Sequence, residues 1–176
     1  MTSPISSDRA PFVVGASARA VILASPEQLW SWIADPTRHP QFAGSGEPQS
    51  ISVTGGPAHG VGTRFESQQK VMGLVRYVTR SEIVGFEPNR RFHFRVGDDA
   101  DWDFLLEPVD GGTLVTHRHR FEPPTAGLMG LIKPIQRRRA RQNAAGMVGT
   151  LENLARLVGA PQPTRIQVSY EPPTMD

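Results

Sequence analysis

Between Pro48 and Pro123 the chain alternates short apolar–polar stretches with turn-forming clusters. The clusters are Gly55-Gly56-Pro57, Glu87-Pro88-Asn89, Gly97-Asp98-Asp99 and Asp110-Gly111-Gly112. Glycine and asparagine supply the backbone angles that tight turns need, and alternation of period two marks strands half-buried on one face. This punctuation predicts strands over Gln49–Thr54, Gly62–Val71, Leu74–Val84, Arg91–Val96, Trp102–Glu107 and Thr113–Phe121. Short strands at this spacing form an antiparallel meander.

The flanks differ in kind. Ala18–Ala24 reads as a further strand. Ser25-Pro26-Glu27-Gln28 then opens a short helix: serine caps it, proline sits at the first helical position, and Gln28 completes a capping box. Asp35-Pro36 stops that helix, and Pro36–Pro40 forms a turn or a second short helix. From Thr125 to Val158 the apolar residues follow a helical period. Ala144, Met147/Val148, Leu151, Leu154/Ala155 and Val158 make one stripe, and Leu128, Leu131/Ile132 and Ile135 make an earlier one. Pro134 predicts a kink or break between them. The order is thus strand, two short helices, six strands, one long helix. The fold class is α+β, a curved antiparallel seven-stranded sheet wrapped around a long C-terminal helix. One helix cannot fill the concavity of so wide a sheet, which leaves room for a ligand cavity.

Residues 13–159 read as one domain. Residues 1–12 read as a loose segment, and residues 160–176 as a Pro-rich tail. Within the tail Ile166, Val168 and Tyr170 alternate with polar residues, the pattern of a short added strand. No apolar run approaches the roughly 20 residues of a membrane span. Asp8, Arg9 and Arg19 spoil a signal peptide, so the expected location is cytoplasmic. There is no cysteine, which excludes a disulfide scaffold, a thiolate nucleophile and any Cys-ligated metal. His39, His59 and His93 are scattered and no metal-ligand spacing occurs, so the reading assigns no metal site and no cofactor.

Ile22–Trp30 followed by Ala34–Pro40 resembles the opening of the START-like superfamily (SRPBCC). That group holds birch-pollen-allergen-like proteins, polyketide cyclases/dehydratases and lipid-transfer domains. Gly60–Phe65, Phe86–Phe92 and Trp102–Pro108 with Gly112-Thr113 resemble its third-strand motif, its hairpin and the strands before its closing helix. The resemblance covers roughly residues 14 to 158 and implies a helix-grip fold. Its motifs are turns and caps, which specify fold rather than chemistry.

Alternation assigns the two faces of the sheet. Phe92, Phe94 and Val96, then Trp102, Phe104 and Leu106, face inward. Arg91, Arg95, Asp101 and Asp103 face outward as a cross-strand ladder that Arg118 and Arg120 join near Asp103 and Glu107. Val115, His117, His119 and Phe121 continue the inner set, with Tyr77, Thr79, Phe65 and Ser67 from the earlier strands. Met129, Ile132 and Met147 add an adaptable helical wall. Aromatic walls with a few polar groups suit an apolar, partly oxygenated guest such as a lipid, sterol, quinone or polyketide.

The leading expectation is therefore binding of a hydrophobic small molecule, as carrier or sensor. The resemblance also admits an aromatase/cyclase or dehydratase, with His117 or His119 as general base and Tyr77 or Arg80 orienting an oxygen. A third reading makes the Arg-rich helix a protein-interaction surface. Arg137, Arg138, Arg139 and Arg141 form the densest charge and could touch anionic lipid at the periphery. No nucleic-acid module accompanies them, so nucleic acid is not an expected partner, and the sequence leaves the oligomeric state open.

Overall fold

A computed structural model describes residues 14–71, 73–98, 100–121 and 129–171, and within the last segment the side chains only from residue 138 onward. The expected loose segment 1–12 lies outside them. Strand β1 (Val14–Ile22) leads into helix α1 (Pro26–Ile33), a 3₁₀ helix (Pro36–Gln41) and the strands β2 (Pro48–Gly55), β3 (Arg64–Val71), β4 (Val75–Glu87), β5 (Arg91–Val96), β6 (Ala100–Val109) and β7 (Gly112–Phe121). Helix α2 (Met129–Leu157) and strand β8 (Thr164–Glu171) complete the chain. The strands form one antiparallel sheet in the order β2-β3-β4-β5-β6-β7-β1-β8. This is the helix-grip fold.

Two expectations are corrected. The sheet has eight strands, because the tail residues Thr164–Glu171 pair along β1, with one bulge at Arg165 and Ile166. The alternation of Ile166, Val168 and Tyr170 was the signal. Helix α2 also runs through Pro134 as one element, so of the expected kink or break the break is overturned. Proline removes one backbone donor, but the turns on either side carry the helix past it.

The capping box is present as the sequence predicts. Gln28 N–H donates to the Ser25 hydroxyl at 3.3 Å, and Ser25 N–H donates to Gln28 Oε1 at 2.9 Å. Asp35 caps the 3₁₀ helix through Thr37 N–H. These two short helices close one end of the sheet. There Trp30 meets Phe86 and Phe92 edge-on, with centroids 5.1 and 6.5 Å away.

The core lies between β1, with Ala16, Ala18 and Ala20, and the inner stripe of α2, with Ala140, Ala144, Met147, Leu151 and Leu154. Small residues on β1 let the helix approach closely there. The segment after the 3₁₀ helix is pinned to α2 as well. Gly44 N–H donates to Thr150 Oγ1 at 2.9 Å, and any side chain at Gly44 would collide with the backbone of Gly146 and Thr150. Over β3–β7 the sheet curves away from the helix, and the space left there is the cavity.

Candidate functional site

The cavity encloses about 410 Å³. The inward positions of β3 to β7 form its floor, α2 its roof, and the segment from His39 to Pro48 one side. Strand alternation places the floor residues: Phe94 lies opposite Trp102, which lies opposite His119, and Phe104 lies opposite His117. Rings therefore meet across neighbouring strands. His117 stacks on Phe104 with centroids 3.9 Å apart and planes 11° apart. Trp102 leans on both His117 and His119, at 5.3 and 4.5 Å. His39, from the 3₁₀ helix, extends this band to Phe104 at 6.2 Å and Phe42 at 5.1 Å.

Three imidazoles thus border one apolar space, and all three are neutral at pH 7. Burial is the main cause in each case, because a charged ring there would lose its hydration. It pushes His39 down to about 4. It pushes His117 down to about 3, helped by the neighbouring His39 and His119. His119 falls to about 4, with Arg139 adding to the effect and Asp101 opposing it.

Hydrogen bonds fix two of the tautomers. His39 donates Nε2–H to the Ile33 carbonyl at 2.8 Å. Asn143 on α2 donates to His119 Nδ1 at 3.2 Å, which leaves the His119 proton on Nε2. His117 differs from both: its Nδ1 is enclosed without a partner among the described residues. Buried polar atoms are normally paired, so this ring tolerates a cost that structure alone does not require.

The rim carries the formal charges. Arg139 donates bidentately to Glu47, at 2.7 and 2.6 Å, joining α2 to the segment before β2. This fork geometry is the strongest form of the pair. Glu47 holds the Arg139 guanidinium further up, and burial with the nearby Glu47 charge raises the Tyr77 hydroxyl. Arg139 and Glu47 are the only residues of fixed charge among the described lining residues, and they cancel. The interior is uncharged.

Of the inward residues singled out in the sequence, Phe65, Ser67, Tyr77, Thr79, Phe94, Val96, Trp102, Phe104, Phe121, Met147, His117 and His119 meet here, with Arg139 at the rim. Phe92 and Val115 share the inner face but not the cavity. Phe92 is fully buried beneath Trp30 and His39, and Val115 is fully buried beside Ala20 and Leu106, where the face is already filled. The side chains of Met129, Ile132 and Arg137 lie outside the described ones. Arg80 cannot orient a guest: it is on the outer face, exposed, paired with Glu66 at 2.9 Å. The outer ladder stands as read for Arg91, Arg95 and Arg118 against Asp101 and Asp103. Arg120 lies opposite Asp101 in the register and also reaches Glu171 on β8.

Sequence reasoning missed His39, Asn143 and the Arg139–Glu47 pair. His39 gives no local signal, because its neighbours Phe92, Phe94 and Phe104 are remote in the chain. Asn143 lies one position before Ala144 of the predicted stripe. A polar residue beside an apolar stripe was the available signal.

The comparisons with known proteins agree with this architecture. Residues 14–159 match the model of the family described as polyketide cyclase / dehydrase and lipid transport. An uncharacterised protein of Mycobacterium tuberculosis, Rv0088, is 32% identical over 149 residues, which is 80% of this chain and 63% of that protein. The chain therefore spans less than two thirds of that relative's length. Among solved structures, the di-domain aromatase/cyclase StfQ from the steffimycin biosynthetic pathway superposes with a TM-score of 0.70 at 12% identity, covering 84% of this chain and 51% of StfQ. The polyketide-cyclase-like protein Cgl2372 of Corynebacterium glutamicum superposes with a TM-score of 0.56 at 26% identity, covering 82% of this chain and 91% of that one. With its helix-grip sheet, its aromatic cavity and a match over residues 14–159, the chain belongs to the polyketide cyclase/dehydrase and lipid transport family.

Proposed function

We propose that this protein binds one uncharged, largely apolar small molecule with oxygen functions, acting as a carrier or sensor. The carrying observation is the 410 Å³ cavity, walled by Phe65, Phe94, Trp102 and Phe104 and free of net charge. Ring surfaces supply apolar contact area, and a few placed polar groups set orientation. His119 offers a donor at Nε2. His117 and His39 offer neutral imidazoles, and Ser67, Thr79 and Tyr77 offer hydroxyls. Among the described lining residues an anionic guest would find no uncompensated cation, because Glu47 already occupies Arg139. Of the described arginines Arg138, Arg139 and Arg141, the exposed Arg138 and Arg141 are the ones left for a peripheral contact with anionic lipid.

Native mass spectrometry of purified protein, followed by extraction of whatever co-purifies, tests this reading. One uncharged guest per chain is expected. A chain that takes up no apolar probe and carries no guest would refute it.

Asn143 favours a second reading. A second residue that orients an imidazole is the arrangement a general base uses. In that reading His119 acts on a polyketide-like substrate and Asn143 holds its ring. Its depressed basicity weighs against this, since a base is most effective near the working pH. Turnover of a poly-carbonyl substrate that is lost in His119→Ala, with binding retained, would move the assignment to a cyclase.

A further inference from the structure

Strand β8 contributes nothing to the cavity and lies beyond the segment that matches the family model. It is an addition to the sheet, and its two faces are treated differently. On the outer face Gln167, Ser169 and Glu171 are engaged within the chain. Ser169 bonds Ser17 at 2.7 Å, Gln167 accepts from Arg19 Nε at 2.8 Å, and Glu171 accepts from Arg120 at 3.1 Å. On the other face Tyr170 and Val168 sit opposite the buried Ala16 and Ala18 of β1, yet remain uncovered. Ile166, Val168 and Tyr170 are 41, 41 and 52% exposed.

Among the described residues no strand pairs with the outer edge of β8. β8 is the last strand in the sheet order, so one row of its backbone N–H and C=O groups faces outward. Edge strands are normally blunted with lysine or proline, and Ile166–Glu171 carries neither. The one irregularity is a bulge at its start, where Arg165 has φ 55°.

The sequence Arg165-Ile166-Gln167-Val168-Ser169-Tyr170-Glu171 is antisymmetric in charge about Val168. An antiparallel pair of identical strands related by a twofold axis through Val168 sets Val168 against Val168, Ile166 against Tyr170 and Gln167 against Ser169. It also brings each Arg165 alongside the other copy's Glu171. Apolar rows meet apolar rows and opposite charges meet, which is what cross-strand pairing favours.

We propose that β8 is a dimerisation edge: two copies of this chain join through antiparallel β8–β8 pairing centred on Val168, making one continuous sheet with both α2 helices on the same side. The proposal is independent of what the cavity holds.

The register is testable because the chain has no cysteine of its own. Directly opposed residues in antiparallel strands have Cα atoms about 4.5–5.5 Å apart, within disulfide reach. Val168→Cys should therefore form a covalent dimer under mild oxidation. Ile166→Cys, which faces Tyr170, should do so at least about tenfold more slowly. By light scattering after size exclusion, the unmodified chain should have twice its 19.3 kDa mass. Val168→Lys, which opposes two ammonium groups on the axis, should return to a single chain mass with unchanged circular dichroism. A chain that is monomeric at about 100 µM overturns the proposal. So does a Val168→Lys variant that stays dimeric, or an Ile166→Cys variant that cross-links as fast as Val168→Cys.

Discussion

Strand β7 reads His117-Arg118-His119-Arg120, and the sheet sends its imidazoles and its guanidiniums to opposite sides. On the inner side His117 and His119 are buried among Trp102 and Phe104 and held neutral. On the outer side Arg118 joins Arg91 on the two oxygens of Asp103, and Arg95 shares Asp101 with His93. Two residue types that can both carry positive charge thus meet contrasting environments within one strand. Desolvation rules inside, where polar groups survive only uncharged. Coulombic pairing rules outside, where the pairs range from the buried Asp103 to the solvated Arg80–Glu66 pair, which is worth little. The inner face can therefore recognise a guest, and the outer face holds register.

Acid should separate the two faces most strongly. In the unfolded chain an imidazole titrates near 6.5, whereas the three buried rings titrate at about 3 to 4. Between those values the unfolded state binds more protons. Stability is therefore fully present above 6.5, falls as pH drops toward 4, and levels off below the folded values. Each ring contributes up to about 1.4 kcal/mol per pH unit across that window. Chemical denaturation across the window measures the slope, and His117→Gln should flatten it by about one third.

Phe104→Ala comes next. The ring is 2% exposed and contacts His39, Phe42 and His117. Its removal should cost about 3–5 kcal/mol in urea unfolding. A loss under 1 kcal/mol would show that the cavity floor is not close-packed.

The outer ladder should divide by burial. Asp103→Ala leaves two guanidiniums facing a lost carboxylate whose side chain was 4% exposed, and should cost roughly 1–3 kcal/mol. Arg80→Ala removes one end of the exposed pair with Glu66 and should change stability by less than about 1 kcal/mol. Equal costs for the two would erase the distinction between a buried anchor and a solvated pair.

These contrasts also explain what could be read from the sequence. Period-two alternation is local, so the inner and outer sets of β5, β6 and β7 followed from residue order alone. The cap at Ser25 and Gln28 was legible for the same reason. The elements that close the cavity are not local. His39 finds Phe104, Glu47 finds Arg139 92 positions away, and Asn143 finds His119 24 positions away. No spacing rule links such pairs, and only the curvature of the sheet brings them together. Phe92 and Val115 show the converse. Their face was correctly read, but how far the short helices and α2 fill that face depends on packing.

The space between the inner strand positions and α2 is proposed to hold an apolar guest. Titration with a neutral solvatochromic dye such as Nile red, on the unmodified chain and on Thr79→Trp, tests it most directly. Thr79 lines the cavity and is half-exposed, so an indole there can fill the space without breaking the core. Saturable uptake of one dye per chain is predicted, weakened at least about tenfold by the indole at unchanged stability. Equal uptake by both proteins would place the dye elsewhere and contradict the account.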